Sequence, residues 1–343
     1  MKKTLAMLLI ILCACLPATL AAAGDVTAME CAAGDYSYTL DADGNAVIVS
    51  YNGSGERLAI PAELDGYPVT AIGDWILPYY ENIVTVSLPA SIQTIASAAF
   101  SGCYTLSTIE VAQDNPYYYS LDGVLFRTED NALIAYPLGK PDEEYSVPQG
   151  TRSLADHVFD DSVLTSITLP DSLQTVGDEA FLYCTELTSI LVSPDNPYLS
   201  SVDGVLFRTE DSALLAYPHG KTEETYSVPK GTKSLADMVF SGCSFSSVSL
   251  PDSLLSIGDQ AFYSCWRLMS VALPGSLQSI GDEAFAYCRV LTVDSLPDSL
   301  QSIGDGAFAF CPAISSLSIS PDHPVFAFID GVLFDKANNT LIL

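Results

Sequence analysis

Positive charge is scarce in this chain. Its 343 residues hold 13 lysines and arginines against 42 aspartates and glutamates, a formal net charge of −29. Binding a polyanion takes clustered basic side chains, so neither nucleic acid nor anionic lipid is expected as a partner. Histidine is scarcer still, at three residues. Each lies in a repeated segment whose counterpart carries something else: His157 against Met238, His219 against Leu138, His323 against Asn196. No nucleophile elbow, zinc pair or dinucleotide loop is spelled anywhere. His219-Gly220-Lys221-Thr222 ends like a phosphate-binding loop but has Leu215 where that motif needs glycine. These absences argue against an enzyme, and no catalytic residue, cofactor or metal is expected.

The first residues read as a leader. Lys2 and Lys3 precede an apolar run from Leu5 to Leu16, too short for a membrane span, and Ala21-Ala22-Ala23 supplies a small-residue cleavage site. Residues 1–23 are thus assigned as a secretory signal peptide, and the protein is expected to be secreted or at the cell surface. A second reading takes Leu12-Cys13-Ala14-Cys15 as a lipobox that places a lipid anchor on Cys15. Cleavage near Ala23 is preferred because the apolar stretch before Cys15 is short. Losing the leader removes two lysines and no acid, leaving 11 basic against 42 acidic residues, a net of −31. With 49% apolar and only 16% charged residues the remainder is globular.

Self-comparison settles its organisation. LPASIQTIASAAFSGC at 88–103 is matched by LPDSLQTVGDEAFLYC at 169–184 and LPDSLLSIGDQAFYSC at 250–265. LPGSLQSIGDEAFAYC at 273–288 and LPDSLQSIGDGAFAFC at 296–311 complete the set. Two degenerate copies, VPQGTRSLADHVF at 147–159 and VPKGTKSLADMVF at 228–240, sit between them, and IPAELDGYPVTAIGDWIL at 60–77 is a divergent first unit. Each unit opens with L-x-x-[IV]-x-L, whose alternation is that of a strand. Proline ends the strand, Gly-Asp turns the chain, and Ala-Phe is expected to start a short helical turn closing near cysteine. About 23 residues then make one circuit of a solenoid whose strands stack into a parallel sheet. Eight circuits are counted. Within the repeats DNPYYYSLDGVLFRTEDNALIAYPLGK at 114–140, its sister at 195–221 and a third copy from 322 are read as inserted β-hairpins. YSYTLDADGNAVIVSY at 36–51 is read as a hairpin capping the open end of the core.

The pattern L-P-x-S-L-x-x-I-G-x-x-A-F-x-x-C-x-x-L-x-x-[IV], with the DGVLF…AYPxGK segments, resembles the BspA-type bacterial leucine-rich repeat over about 36–343. The resemblance implies an α/β repeat solenoid: a right-handed leucine-rich-repeat superhelix with a stacked parallel β-sheet, short helical turns and inserted β-hairpins. The division expected is a signal peptide at 1–23, an N-terminal cap at 24–59 and a solenoid at 60–343. Insertions fall at about 112–145, 193–226 and 320–343, and the last copy stops inside its second strand, as if the chain were truncated relative to its gene. The resemblance also implies a non-catalytic module for protein–protein binding or adhesion, with a host matrix or bacterial surface protein as partner. A structural spacer presenting an enzyme or anchor domain absent from this chain is the alternative.

The repeats also supply bland readings for reactive-looking residues. Cys103, Cys184, Cys243, Cys265, Cys288 and Cys311 share one position and are read as a ladder of buried thiols, with Val163 in the slot of the 147–159 copy; Cys31 is expected to be accessible. Asp178, Asp259, Asp282 and Asp305 of the I-G-D turns are read as N-caps of the helical turns rather than calcium ligands. Asp294 falls in a strand slot that is apolar in its neighbours, so a bulge turning Val293 inward is expected. Tyr79, Tyr80, Tyr117, Tyr118 and Tyr119 are the candidate partner-binding residues. The competing reading has them covering the hairpin's apolar face.

Overall fold

A computed structural model describes residues 31–77, 82–312, 317–329 and 332–337 of the chain. They form a β-solenoid of about 11 turns. Two parallel ladders run along it. The first carries the L-x-x-[IV]-x-L strands: Arg57–Ala59, Thr85–Leu88 and Thr108–Val111, then Glu144–Ser146, Ser166–Leu169 and Ser189–Val192, then Thr225–Ser227, Ser247–Ser249 and Ser270–Val271. Within a strand the apolar residue between the two outward ones is buried, as at Val86, Ile167, Ile190 and Val248. The second ladder carries the two-residue strands before Gly-Asp or Ala-Asp, such as Ser234–Leu235, Ser256–Ile257, Ser279–Ile280 and Ser302–Ile303.

The helical turns are absent: among the described residues no segment is helical. The cause lies in two residues per coil held in the left-handed region. Glu283 and Tyr287 have φ of 50° and 62°, Gln260 and Ser264 of 52° and 55°, Glu179 and Tyr183 of 55° and 53°. A helix cannot contain such residues. Instead the Asp-x-Ala-Phe-x-x-Cys segment sends its N–H groups to the next coil. Glu283, Phe285 and Tyr287 donate to the carbonyls of Asp305, Ala307 and Ala309 at 2.7–2.9 Å, and Gln260, Phe262 and Ser264 do the same one coil earlier. Backbone groups that a helix would satisfy internally are satisfied between coils.

The insertions contain the expected hairpins, and two of them extend further. Tyr118–Leu121, Val124–Arg127 and Ala132–Ala135 form an antiparallel three-stranded meander, and its last strand pairs in parallel with Ser153–Leu154 of the next coil. Leu199–Val202, Val205–Arg208 and Ala213–Ala216 repeat the arrangement. Each of these two insertions therefore completes a circuit of its own, which raises the number of turns above the eight expected; in the third copy Phe326–Ile329 and Val332–Asp335 pair as an antiparallel hairpin. Asp122 (φ 51°) and Gly123 (φ 79°) make the tight turn into the central strand, a pair of positive φ values that suits the twist of a hairpin. That central strand is covered on both faces: Leu125 packs toward the N-terminal part of the core, Val124 and Phe126 toward the middle part. Burial on both sides explains the unbroken apolar run V-L-F.

At the N-terminus Cys31–Ala33, Tyr36–Leu40 and Ala46–Tyr51 form an antiparallel sheet whose last strand pairs in parallel with Tyr67–Ile72. Near the other end the expected irregularity at Asp294 is present. Thr292 pairs with Ser270, 22 residues back, whereas Ser318 pairs with Ser295, 23 back. Asp294 is the extra residue; it is exposed, while Val293 is buried. Looping out one residue keeps the carboxylate in water and the valine in the core.

Candidate functional site

The tyrosines proposed as partner contacts divide sharply. Tyr79 and Tyr80 lie outside the described residues. Tyr118 is buried, and Tyr119 is half-buried, stacked on Phe126 at 5.2 Å with its hydroxyl donating to Asn131 Oδ1 at 2.8 Å. Tyr117 faces solvent, as does its repeat equivalent Tyr198. Both are pinned from beneath. Asn115 Oδ1 accepts the N–H groups of Tyr117 and Tyr118, while its Nδ2 donates to the carbonyls of Pro89 and Ile92. Asn196 makes the same four bonds around Tyr198. Sequence alone assigned no role to this Asn, nor to His323, which replaces it in the third copy. His323 Nδ1 accepts from Val325 and Phe326, and Nε2 lies 3.1 Å from the Pro297 carbonyl. With Nδ1 accepting, the proton belongs on Nε2, and the ring substitutes for the amide.

The thiol position is a packing position with a polar function. Cys184, Cys265, Cys288 and Cys311 each donate to the carbonyl of a core phenylalanine one coil back, Phe159, Phe240, Phe262 and Phe285, at 2.9–3.1 Å. Burial pushes the Cys103 and Cys311 thiols up to about 12, so these sulfurs are inert as nucleophiles. Ser162, not Val163, holds the slot in the 147–159 copy: it is 3% exposed and 3.4 Å from Cys184 Sγ, whereas Val163 is 56% exposed. The sequence pattern of apolar residues concealed this, because a hydroxyl there is accommodated by hydrogen bonding rather than hydrophobicity. Cys31 is half-exposed.

The repeated aspartates cap no helix. Asp156, Asp237, Asp259 and Asp282 each accept, through Oδ1, the N–H of the aspartate one coil onward: Asp178, Asp259, Asp282 and Asp305, at 2.7–2.9 Å. A carboxylate receiving a backbone N–H is the chemistry expected of a cap, applied between coils. Among the described residues no group of three metal-ligating side chains converges.

One acidic side chain stands apart. Asp160 is largely buried with Oδ1 unpartnered, and desolvation, then the charges of Asp161 and Glu179, push it up to about 7, against the opposing pull of His157. His157 Nδ1 sits 3.8 Å from Asp160 and 3.5 Å from Glu179. His219 Nε2 is 2.6 Å from the Ser241 carbonyl, its Nδ1 is buried without a partner, and burial lowers its pKa.

Outward positions of the first ladder are small hydroxyls, as the alternation implied: Thr85, Thr108, Ser166, Ser189, Ser247 and Ser270 stand in register. On the turns flanking each cysteine the repeats disagree, and there the surface becomes aromatic. Tyr263 and Tyr287 lie 5.3 Å apart, Tyr287 stacks on Phe310 at 4.6 Å, and Arg267 lies 5.8 Å from the ring of Trp266. Sequence reading passed over this group; the signal available was Trp266 and Arg289 standing where a sister repeat has Thr185.

A family model of the BspA type leucine-rich repeat region matches six copies, over residues 62–120, 143–209 and 219–338. No curated protein matches the sequence. Among solved structures, the pneumococcal vaccine antigen PcpA is 24% identical, the alignment covering 85% of this chain and 82% of that one with a TM-score of 0.54. A leucine-rich repeat protein from Eubacterium ventriosum is 18% identical, covering 84% and 76%, with a TM-score of 0.53. At these identities the likenesses speak for the fold. The family match spans most of the chain, and with the stacked coils, the cysteine ladder and the paired meanders it places this protein in the BspA-type leucine-rich repeat family.

Proposed function

We propose that this chain is a secreted or cell-surface module that binds other proteins and performs no chemistry of its own. The observation that carries the reading is the pair Tyr117 and Tyr198. Each is an exposed ring on a backbone fixed by a fully bonded asparagine. An aromatic side chain held in place loses little entropy on docking, which is how binding anchors work. The leader-like residues 1–23 support export, and the family supports a protein-binding role. The test is surface plasmon resonance against immobilised matrix and bacterial surface proteins. For any partner found, Tyr117→Ser with Tyr198→Ser is expected to weaken binding at least tenfold at unchanged melting temperature. Equal binding by the double variant would remove the tyrosines from the proposal.

A further inference from the structure

The turns of the C-terminal coils carry a second surface, rich in exposed apolar side chains and holding two arginines. Trp266, Met269, Val290 and Phe310 are among the most exposed large apolar side chains, at 59%, 56%, 46% and 67%. They lie on adjacent coils: Ser264 N–H donates to the Ala286 carbonyl and Thr292 N–H to the Met269 carbonyl, so residues 266–269 stack on 289–292. Tyr263, Tyr287 and Phe310 continue the apolar strip at spacings of 5.3 and 4.6 Å. Arg267 and Arg289 stand within it.

The arginines give the strip its direction. Acids outnumber bases threefold in this chain, and Arg57, Arg127 and Arg208 each hold a carboxylate at 2.7 Å. Arg152, Arg267 and Arg289 form no ion pair among the described residues, although all three are exposed; Arg267 stands by Trp266 and Arg289 by Tyr287 and Phe310. A guanidinium left free where carboxylates abound, beside Trp and Tyr rings, has the composition of a binding hot spot and lacks only the anion.

Building on the protein-binding reading above, we infer that Trp266, Arg267, Tyr287, Arg289 and Phe310 form a docking surface for a segment of another protein that carries carboxylates beside an aromatic or aliphatic anchor. The carboxylates would pair with the two guanidiniums and the anchor would lie on the ring strip. The net negative charge around the site disfavours anionic partners at long range, so binding depends on short-range pairing and stacking.

The test pans a random twelve-residue phage-displayed peptide library on the intact protein, with counter-selection on the Arg267→Gln/Arg289→Gln variant. Enriched peptides are then measured by fluorescence anisotropy. Expected are acidic peptides with an aromatic or aliphatic residue, binding at least tenfold more weakly to that variant and to Trp266→Ala. Both variants alter exposed side chains, and unchanged thermal unfolding checks that they fold. Failure to enrich peptides above the counter-selection, or enrichment of peptides without carboxylates, overturns the proposal. So does arginine-dependent binding of polygalacturonate without peptide binding, which makes the strip a glycan surface. Sedimentation showing self-association that the arginine variant abolishes overturns it in favour of a second copy. A parallel panning without counter-selection that yields only peptides binding the arginine variant unchanged and losing affinity with Tyr117→Ser/Tyr198→Ser sinks this surface and leaves the general protein-binding reading standing.

Discussion

His323 and Asp160 are single residues whose surroundings dictate their behaviour. His323 makes the bonds that Asn115 and Asn196 make in the sister insertions, with two N–H groups and one carbonyl depending on it. His323→Asn is therefore expected to leave stability within about 1 kcal/mol of the parent, while His323→Ala strands those groups and costs about 2–4 kcal/mol. Urea titration of both variants checks the difference, and equal losses would refute the equivalence. Asp160 gives a pH signature. Its carboxyl is raised in the folded protein from 3.8 to about 7, so the folded state holds a proton that the unfolded state has released. Its contribution is then fully present below about pH 4 and is lost as pH rises to about 7, at up to about 1.4 kcal/mol per pH unit. Asp160→Asn, which needs no proton, is expected to gain stability over the parent from pH 5 to 7.5 and to match it near pH 4. Parallel denaturation curves at all three pH values would refute this.

At the scale of the coil, the controlling feature is how closely successive Gly-Asp turns approach. A Cβ on Gly281 would sit 2.6 Å from both Asp259 N and the Gly258 carbonyl carbon, and would also meet Asp259 Oδ1. Those atoms belong to the N–H-to-carboxylate ladder and cannot move without breaking it. Gly281→Ala is expected to cost about 2–4 kcal/mol, more than alanine costs at a glycine with open space around it, because the coils must separate. Gly275 has nothing within 4 Å of such a Cβ, and Gly275→Ala serves as the control in the same denaturant series. The phenylalanine ladder supports the same stacking from inside: Phe262, Phe285 and Phe308 lie parallel, 4.9 and 5.3 Å apart.

Across the whole molecule, repetition makes charge cumulative. Forty-two acids on one rod repel one another, and added salt screens that repulsion. The melting temperature is expected to rise by several degrees between about 10 and 200 mM sodium chloride. Calcium at about 1 mM should add nothing beyond its ionic strength, because the repeated aspartates already spend Oδ1 on the next coil's N–H. A calcium-specific rise would show a site the aspartate ladder does not predict. Much of this scale was legible in advance: the repeat period, the stacked sheet, the buried cysteine position and the looped-out Asp294 all follow from matching copies. Candidate contacts were less legible. Tyr117, Tyr118 and Tyr119 read alike in one dimension, and only the alternation of a strand over a packed core sends one outward and one inward.

By itself the sequence determined which residues recur, and recurrence fixes the core, because side chains that must stack on their own copies can change little between coils. Tertiary structure decided how the backbone between them is satisfied. The helical turns expected from Ala-Phe became left-handed turns bonded to the next coil. Two of the hairpins were built into coils of their own, because the last strand of each found a parallel partner. Local propensity is worth fractions of a kcal/mol per residue, whereas a buried N–H without a partner costs more, so pairing between coils prevailed.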